Sequence, residues 1–146
     1  MYPDIKELHS YWAYGVLIFL LLAVLNSAVG LSRKKPFGKN DRTIALIALI
    51  FTHVQFLLGM IMYFLSPYLD AAKAGGMGAA MKDSTLRLYL VEHPLVNIIA
   101  IVLITIGWSK HKKAETSEAK FKKIAIMYAI GLVLLLSRIP WSAWLS

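Results

Sequence analysis

The stretch IALIALIFTHVQFLLGMIMYFL, residues 44–65, contains no Asp, Glu, Lys or Arg. At about 1.5 Å per residue it is long enough, as a helix, to cross roughly 30 Å of hydrocarbon. One imidazole, His53, stands near its middle. An ionisable side chain at membrane depth is costly, so it implies a function or a buried partner. Three further apolar stretches, Tyr11–Leu31, Leu88–Trp108 and Ile124–Leu145, are of similar length, and His9 and His93 lie near the outer ends of two of them. Three imidazoles on three apolar helices are therefore the candidate functional residues.

Composition agrees with this architecture. Of 146 residues, 58% are hydrophobic and the mean hydropathy is +0.62, too apolar for an ordinary soluble domain of this size. The leader MYPDIKELH sets Asp4 and Glu7 against a single Lys6, and the apolar run after it is too long for a cleaved signal, so the first segment is expected to stay in the membrane. There is no cysteine, which excludes disulfides, thiolate metal sites and covalent haem attachment. The expected fold is all-α, a single integral membrane domain over residues 1–146. Its helices are expected at about 8–32, 43–66, 86–109 and 121–145, packed as an up-down-up-down four-helix bundle.

The net charge of +8 is concentrated in two connections. Arg33, Lys34, Lys35, Lys39 and Arg42 come after the first segment, and Lys110, Lys112, Lys113, Lys120, Lys122 and Lys123 after the third. The positive-inside rule places both on the cytoplasmic side of a bacterial inner membrane and both termini in the periplasm. Nucleic-acid binding is the weaker explanation, because these lysines border apolar helices with no recognition motif among them. The longer middle connection, residues 66–87, contains a helix stop at Ser66–Pro67 and an Ala-Gly-Met segment. It is expected as a surface loop, with Asp83 or Ser84 capping the third long helix or a short helix leading to it.

Helical spacing gives each segment a face suited to point inward. On the first this is His9, Ala13, Val16, Leu20, Ala23 and Ser27, and on the third His93, Asn97, Ala100, Ile104 and Gly107. The second offers His53, Leu57 and Met60, and the fourth Met127, Gly131, Leu134 and Arg138. Small residues in such stripes allow close approach in lipid. Two imidazoles from facing helices are natural axial ligands for the iron of a non-covalent haem b. His93 is the first candidate, with His9 or His53 opposite. Depth along straight helices does not decide between them: His9 falls roughly 10 Å further out than His93, and His53 about 9 Å deeper. Met60 matches His93 in depth, but a methionine on an apolar face is usually packing. Each imidazole also has a plainer role available. His9 suits the interface, His53 suits a hydrogen bond to Asn97 or a carbonyl, and His93 suits the start of its helix beside Glu92 and Pro94. Arg87 and Arg138 are candidates for pairing with haem propionates through their guanidinium forks, and Glu92 is an alternative partner for Arg138. His111, in the basic connection, is expected to be solvated.

The elements LHSYW at 8–12, KKPFGKNDR at 34–42, HVQFLLGMIMYFLSP at 53–67, DSTLRLYLVEHPL at 83–95, AIVLITIG at 100–107 and IPW at 139–141 resemble a family over nearly the whole chain. They are similar to the small four-helix cytochrome b-type membrane proteins of Bacteroidetes, and distantly to CopD-like and other b-type haem bundles. The resemblance implies an inner-membrane protein carrying b-type haem, with His9, His53, Arg87, Glu92 and His93 matching the family pattern. Where that pattern has an aliphatic residue and then arginine, this chain has Trp12 and Ala13. The expected function is haem-mediated electron transfer between a quinol or other membrane donor and a redox partner, as a homo- or hetero-oligomer or alone. The alternatives are a histidine site for another metal in a membrane enzyme or transporter, and a cofactor-free accessory subunit of a membrane complex. No serine triad, nucleophilic cysteine or phosphate loop is present to support hydrolytic chemistry.

Overall fold

A computed structural model of the chain describes residues 1–144, nearly all of them helical. In chain order the elements are α1 (Tyr2–Ser32), α2 (Lys39–Leu65), α3 (Pro67–Gly75), α4 (Met77–Lys82) and α5 (Ser84–Arg87). A π-helical turn at Leu88–Glu92 comes next, then α6 (His93–Lys113), α7 (Ser117–Ser137) and α8 (Trp141–Trp144). Three stretches are long and apolar enough to cross a membrane: α1, α2, and the continuous run Ser84–Lys113. Their outer faces expose large apolar side chains, among them Ile18, Leu25, Leu57, Phe64, Ile98 and Val102, as lipid contact requires.

The four long helices pack in a closed order, with α1 against α2 and α7, α6 against α7, and a slighter seam between α6 and α2. Small residues set the spacing. A Cβ added at Gly131 would lie 2.5 Å from Cγ1 of Ile104, and one at Gly107 would lie 2.6 Å from Cβ of Met127. The α6–α7 crossing is therefore closed by two glycines, one from each helix. Between α1 and α2, Phe51 lies over Gly15 and stacks on Trp12, while the Trp12 indole donates a 2.8 Å hydrogen bond to the Phe51 carbonyl. Tyr128, fully buried, donates from α7 to the Ala45 carbonyl of α2 at 2.9 Å.

At the basic end one carboxylate organises the first connection. Asp41 accepts from Asn26 and Lys35 on one oxygen, and from the Gly38 amide on the other. Because Asp41 lies in the first turn of α2, it also faces the positive end of that helix.

Several sequence expectations change. The inward face of α2 carries Ala45, Ala48 and Thr52, not His53 and Leu57; His53 is exposed and Leu57 is 60% exposed. The stripe is rotated because Trp12, Phe51 and Tyr128 lock α2 through neighbouring residues. On α7 the buried face is Phe121, Ile124, Tyr128 and Gly131. The fourth helix, expected to reach 145, ends at Ser137, because Pro140 cannot donate to the Leu136 carbonyl; the Trp141 indole does so instead, at 3.0 Å. Leu145 lies outside the described residues. α6 runs on to Lys113 and buries His111, 2% exposed, between the rings of Trp108 and Phe37 rather than leaving it in solvent. The middle connection is not a loop but α3 and α4, joined at Gly76, whose φ of +87° favours glycine. Ser66 caps α3, and the Asp83 carboxylate caps α5 by accepting from the Thr85 and Leu86 amides.

Candidate functional site

The site lies at the end of the molecule away from the basic connections, where α1, α2 and α6 meet. Pro94 shapes one wall. Lacking an N–H, it leaves the Leu90 carbonyl without its helical donor, and the chain widens there into the π turn at Leu88–Glu92. The Tyr63 hydroxyl of α2 donates to that carbonyl at 3.1 Å. Immediately after this turn comes His93.

His93 is held on both sides. The break at Arg138 frees its carbonyl to accept from His93 Nδ1 at 2.8 Å. With Nδ1 protonated, Nε2 carries the lone pair, and it accepts from the Asn97 amide at 3.0 Å. A ring whose Nδ1–H is fixed on a backbone carbonyl presents Nε2 in the tautomer that metal ligation uses.

His9 faces it, the ring centroids 6.4 Å apart and nearly perpendicular at 82°. Gly59 of α2 receives the His9 ring: a Cβ there would lie 3.3 Å from Cε1. Gln55 steadies the same turn by donating to the His9 carbonyl at 2.9 Å. Helix length explains why the two rings meet. Arg42 and Lys110, the charges nearest the apolar stretches, stand inside α2 and α6 and not at their ends. Counted from the helix ends, His9 is about 35 Å along α1 and His93 about 30 Å along α6, a difference of about one helical turn. By the same count His53 is only about 21 Å along α2.

His53 is elsewhere. Its Nδ1 lies 2.8 Å from the Leu49 carbonyl of its own helix, and its Nε2 lies 3.2 Å from the Thr105 hydroxyl, in the seam between α2 and α6. Glu92 lies outside the cavity wall with both arginines. Arg87 pairs with it at 2.8 Å, and Arg138 approaches its other oxygen at 3.8 Å. Met60 does line the cavity beside His9.

The two imidazoles border a cavity of about 560 Å³ with a mostly apolar wall, within the size range of cofactor sites. Tyr2, Lys6, Tyr68 and Tyr89 surround its outer part, with Tyr68 and Tyr89 stacked at 4.5 Å. Three buried polar atoms on its lining residues have no hydrogen-bond partner among the described residues: Nδ1 of His9, Oε1 of Gln55 and Oδ1 of Asn97. Such atoms are normally satisfied once a site is filled.

These residues fit a flat, largely apolar group carrying one metal ion. The 6.4 Å between the His9 and His93 ring centroids would leave room for one metal ion held by both imidazoles, which would take the place of the Asn97 amide at His93 Nε2. The sequence pattern singles out both imidazoles, but not the Gly59 recess, Gln55 or Lys6. A signal for Gly59 is present, since a glycine inside an apolar helix often marks a close approach. Compared with family models, with curated proteins and with solved structures, the chain has no match.

Proposed function

We propose that the protein is a membrane b-type cytochrome. In this reading α1, α2, the Ser84–Lys113 run and α7 form an up-down-up-down four-span bundle in a bacterial inner membrane, with both termini periplasmic. One non-covalent haem b is held in the outer half by His9 and His93, and electrons pass between a quinol or other membrane donor and a redox partner. The observation that carries this is the facing pair of imidazoles, from two different helices, across a cofactor-sized apolar cavity.

Haem b, when bound, supplies a one-electron redox centre in this cavity. The chain's own residues do the rest. The Arg138 carbonyl fixes the His93 tautomer and increases the basicity of Nε2, which would exchange the Asn97 amide for the cofactor's metal. The Gly59 recess lets the His9 ring enter without displacing α2. Apolar lining from Val16, Leu17, Phe56 and Ile101 keeps water away and lowers the local dielectric. Lys6 lines the cavity and would meet a carboxylate of the cofactor. Arg87 and Arg138, paired with Glu92, sit behind His93 as a fixed charge cluster.

The test is haem content. Protein expressed with haem supplied, purified in detergent and assayed as the pyridine haemochrome is expected to hold one haem b per chain. Folded protein with no haemochrome signal would overturn the proposal.

A further inference from the structure

The opposite end of the molecule carries a second pocket, of about 410 Å³, which the cofactor reading does not use. Three elements contribute cations to it: Lys39 and Arg42 from the start of α2, Lys112 from the end of α6, and Lys120 from the first turns of α7. Phe37 and the buried His111 form its apolar part. None of these four cations belongs to an ion pair among the described residues. The nearest organised carboxylate, Asp41, is already engaged by Lys35, Asn26 and the Gly38 amide.

Two of the four are also held in place. The Arg42 guanidinium lies 5.2 Å over the Trp108 ring, which fixes its plane. Lys120 donates to the His111 carbonyl at 3.0 Å, which ties α7 to the end of α6 and holds its ammonium at the pocket. Four basic residues thus line one concavity beside the ends of apolar helices. Like charges so gathered repel each other unless an anion lies among them.

We propose that this pocket binds a phosphate group, its source being the headgroup of an anionic phospholipid such as phosphatidylglycerol. Basic pockets between membrane helices on the cytoplasmic side suit such headgroups, and a guanidinium edge matches phosphate oxygens in fork geometry. The inference is independent of whether the other end holds haem.

Native mass spectrometry of detergent-purified, delipidated protein tests it, with phosphatidylglycerol, phosphatidylcholine and inorganic phosphate added separately. Each basic residue contributes roughly fivefold to the affinity for an anionic headgroup. With four such residues, phosphatidylglycerol is therefore expected to be retained roughly several hundredfold more strongly than phosphatidylcholine. The triple variant Lys39→Gln, Arg42→Gln, Lys112→Gln is expected to lose all but roughly fivefold of that preference, and Arg42→Gln alone to lose about fivefold of it. Binding of inorganic phosphate as strong as that of the lipid would keep the phosphate site but make its source soluble. Equal retention of the two lipids without phosphate binding, or an unchanged preference in a folded triple variant, would overturn the proposal.

Discussion

His93 and His53 show how little a residue's identity says without its partners. Both are imidazoles on apolar helices, yet His93 faces a second imidazole across a cavity, while His53 turns toward a threonine hydroxyl in an open seam. Gly59 sets how closely α2 approaches the His9 ring. Because a Cβ there would already stand 3.3 Å from the His9 ring, Gly59→Val is expected to push that ring out of place. Haem content should fall severalfold in the pyridine haemochrome assay, while far-ultraviolet circular dichroism stays helical. Gly59→Ala should bring a smaller loss, since the ring can yield by a few tenths of an ångström. Glu92 gives a test of electrostatics. Under the proposed site its carboxylate stabilises the oxidised, more positive iron, so Glu92→Gln is expected to raise the midpoint potential in a spectroelectrochemical titration. A lowered potential would contradict that placement.

Bulky apolar side chains pack here into recesses left by glycines, with single hydrogen bonds beside them. Gly107 of α6 meets the Cβ of Met127, an atom that no rotamer change can remove. Gly107→Ala is thus expected to separate α6 from α7 and cost about 1–3 kcal/mol, read as a lowered unfolding midpoint in mixed-micelle titrations. Tyr128→Phe, which removes the buried hydrogen bond to the Ala45 carbonyl, should cost about 1 kcal/mol in the same assay. At this scale the sequence was partly legible. The buried faces of α1 and α6 obey their small-residue spacing, as Val16, Leu20, Ala23 and Ser27 on one and Ala100, Ile104 and Gly107 on the other show. The face of α2 is not the expected one: its buried side follows the small residues Ala45, Ala48 and Thr52, and the spacing around His53 does not mark it. Specific contacts at Trp12, Phe51 and Tyr128 fix it instead. The inserted helices α3 and α4 were equally hidden: their alanines and glycines look like a linker until Ala72, Ala80 and Leu90 pack together with Tyr63 and Tyr68 alongside.

The molecule as a whole has two unlike ends, one with paired imidazoles under a mouth of tyrosines and one with converging cations. Basic connections at one end make its orientation testable. Alkaline phosphatase fused after residue 146 is expected to be active and a fusion within residues 33–38 inactive, and the reverse pattern would place the imidazole site on the cytoplasmic side. The central claim is that His9 and His93 together hold one haem, and a reduced-minus-oxidised visible spectrum of the purified protein tests it most directly. Sharp α and Soret bands are expected in the wild type and in His53→Ala, and are expected to be lost or strongly shifted in both His9→Ala and His93→Ala. Bands that survive unchanged in either of those two variants, or a featureless spectrum from folded wild-type protein, would contradict it.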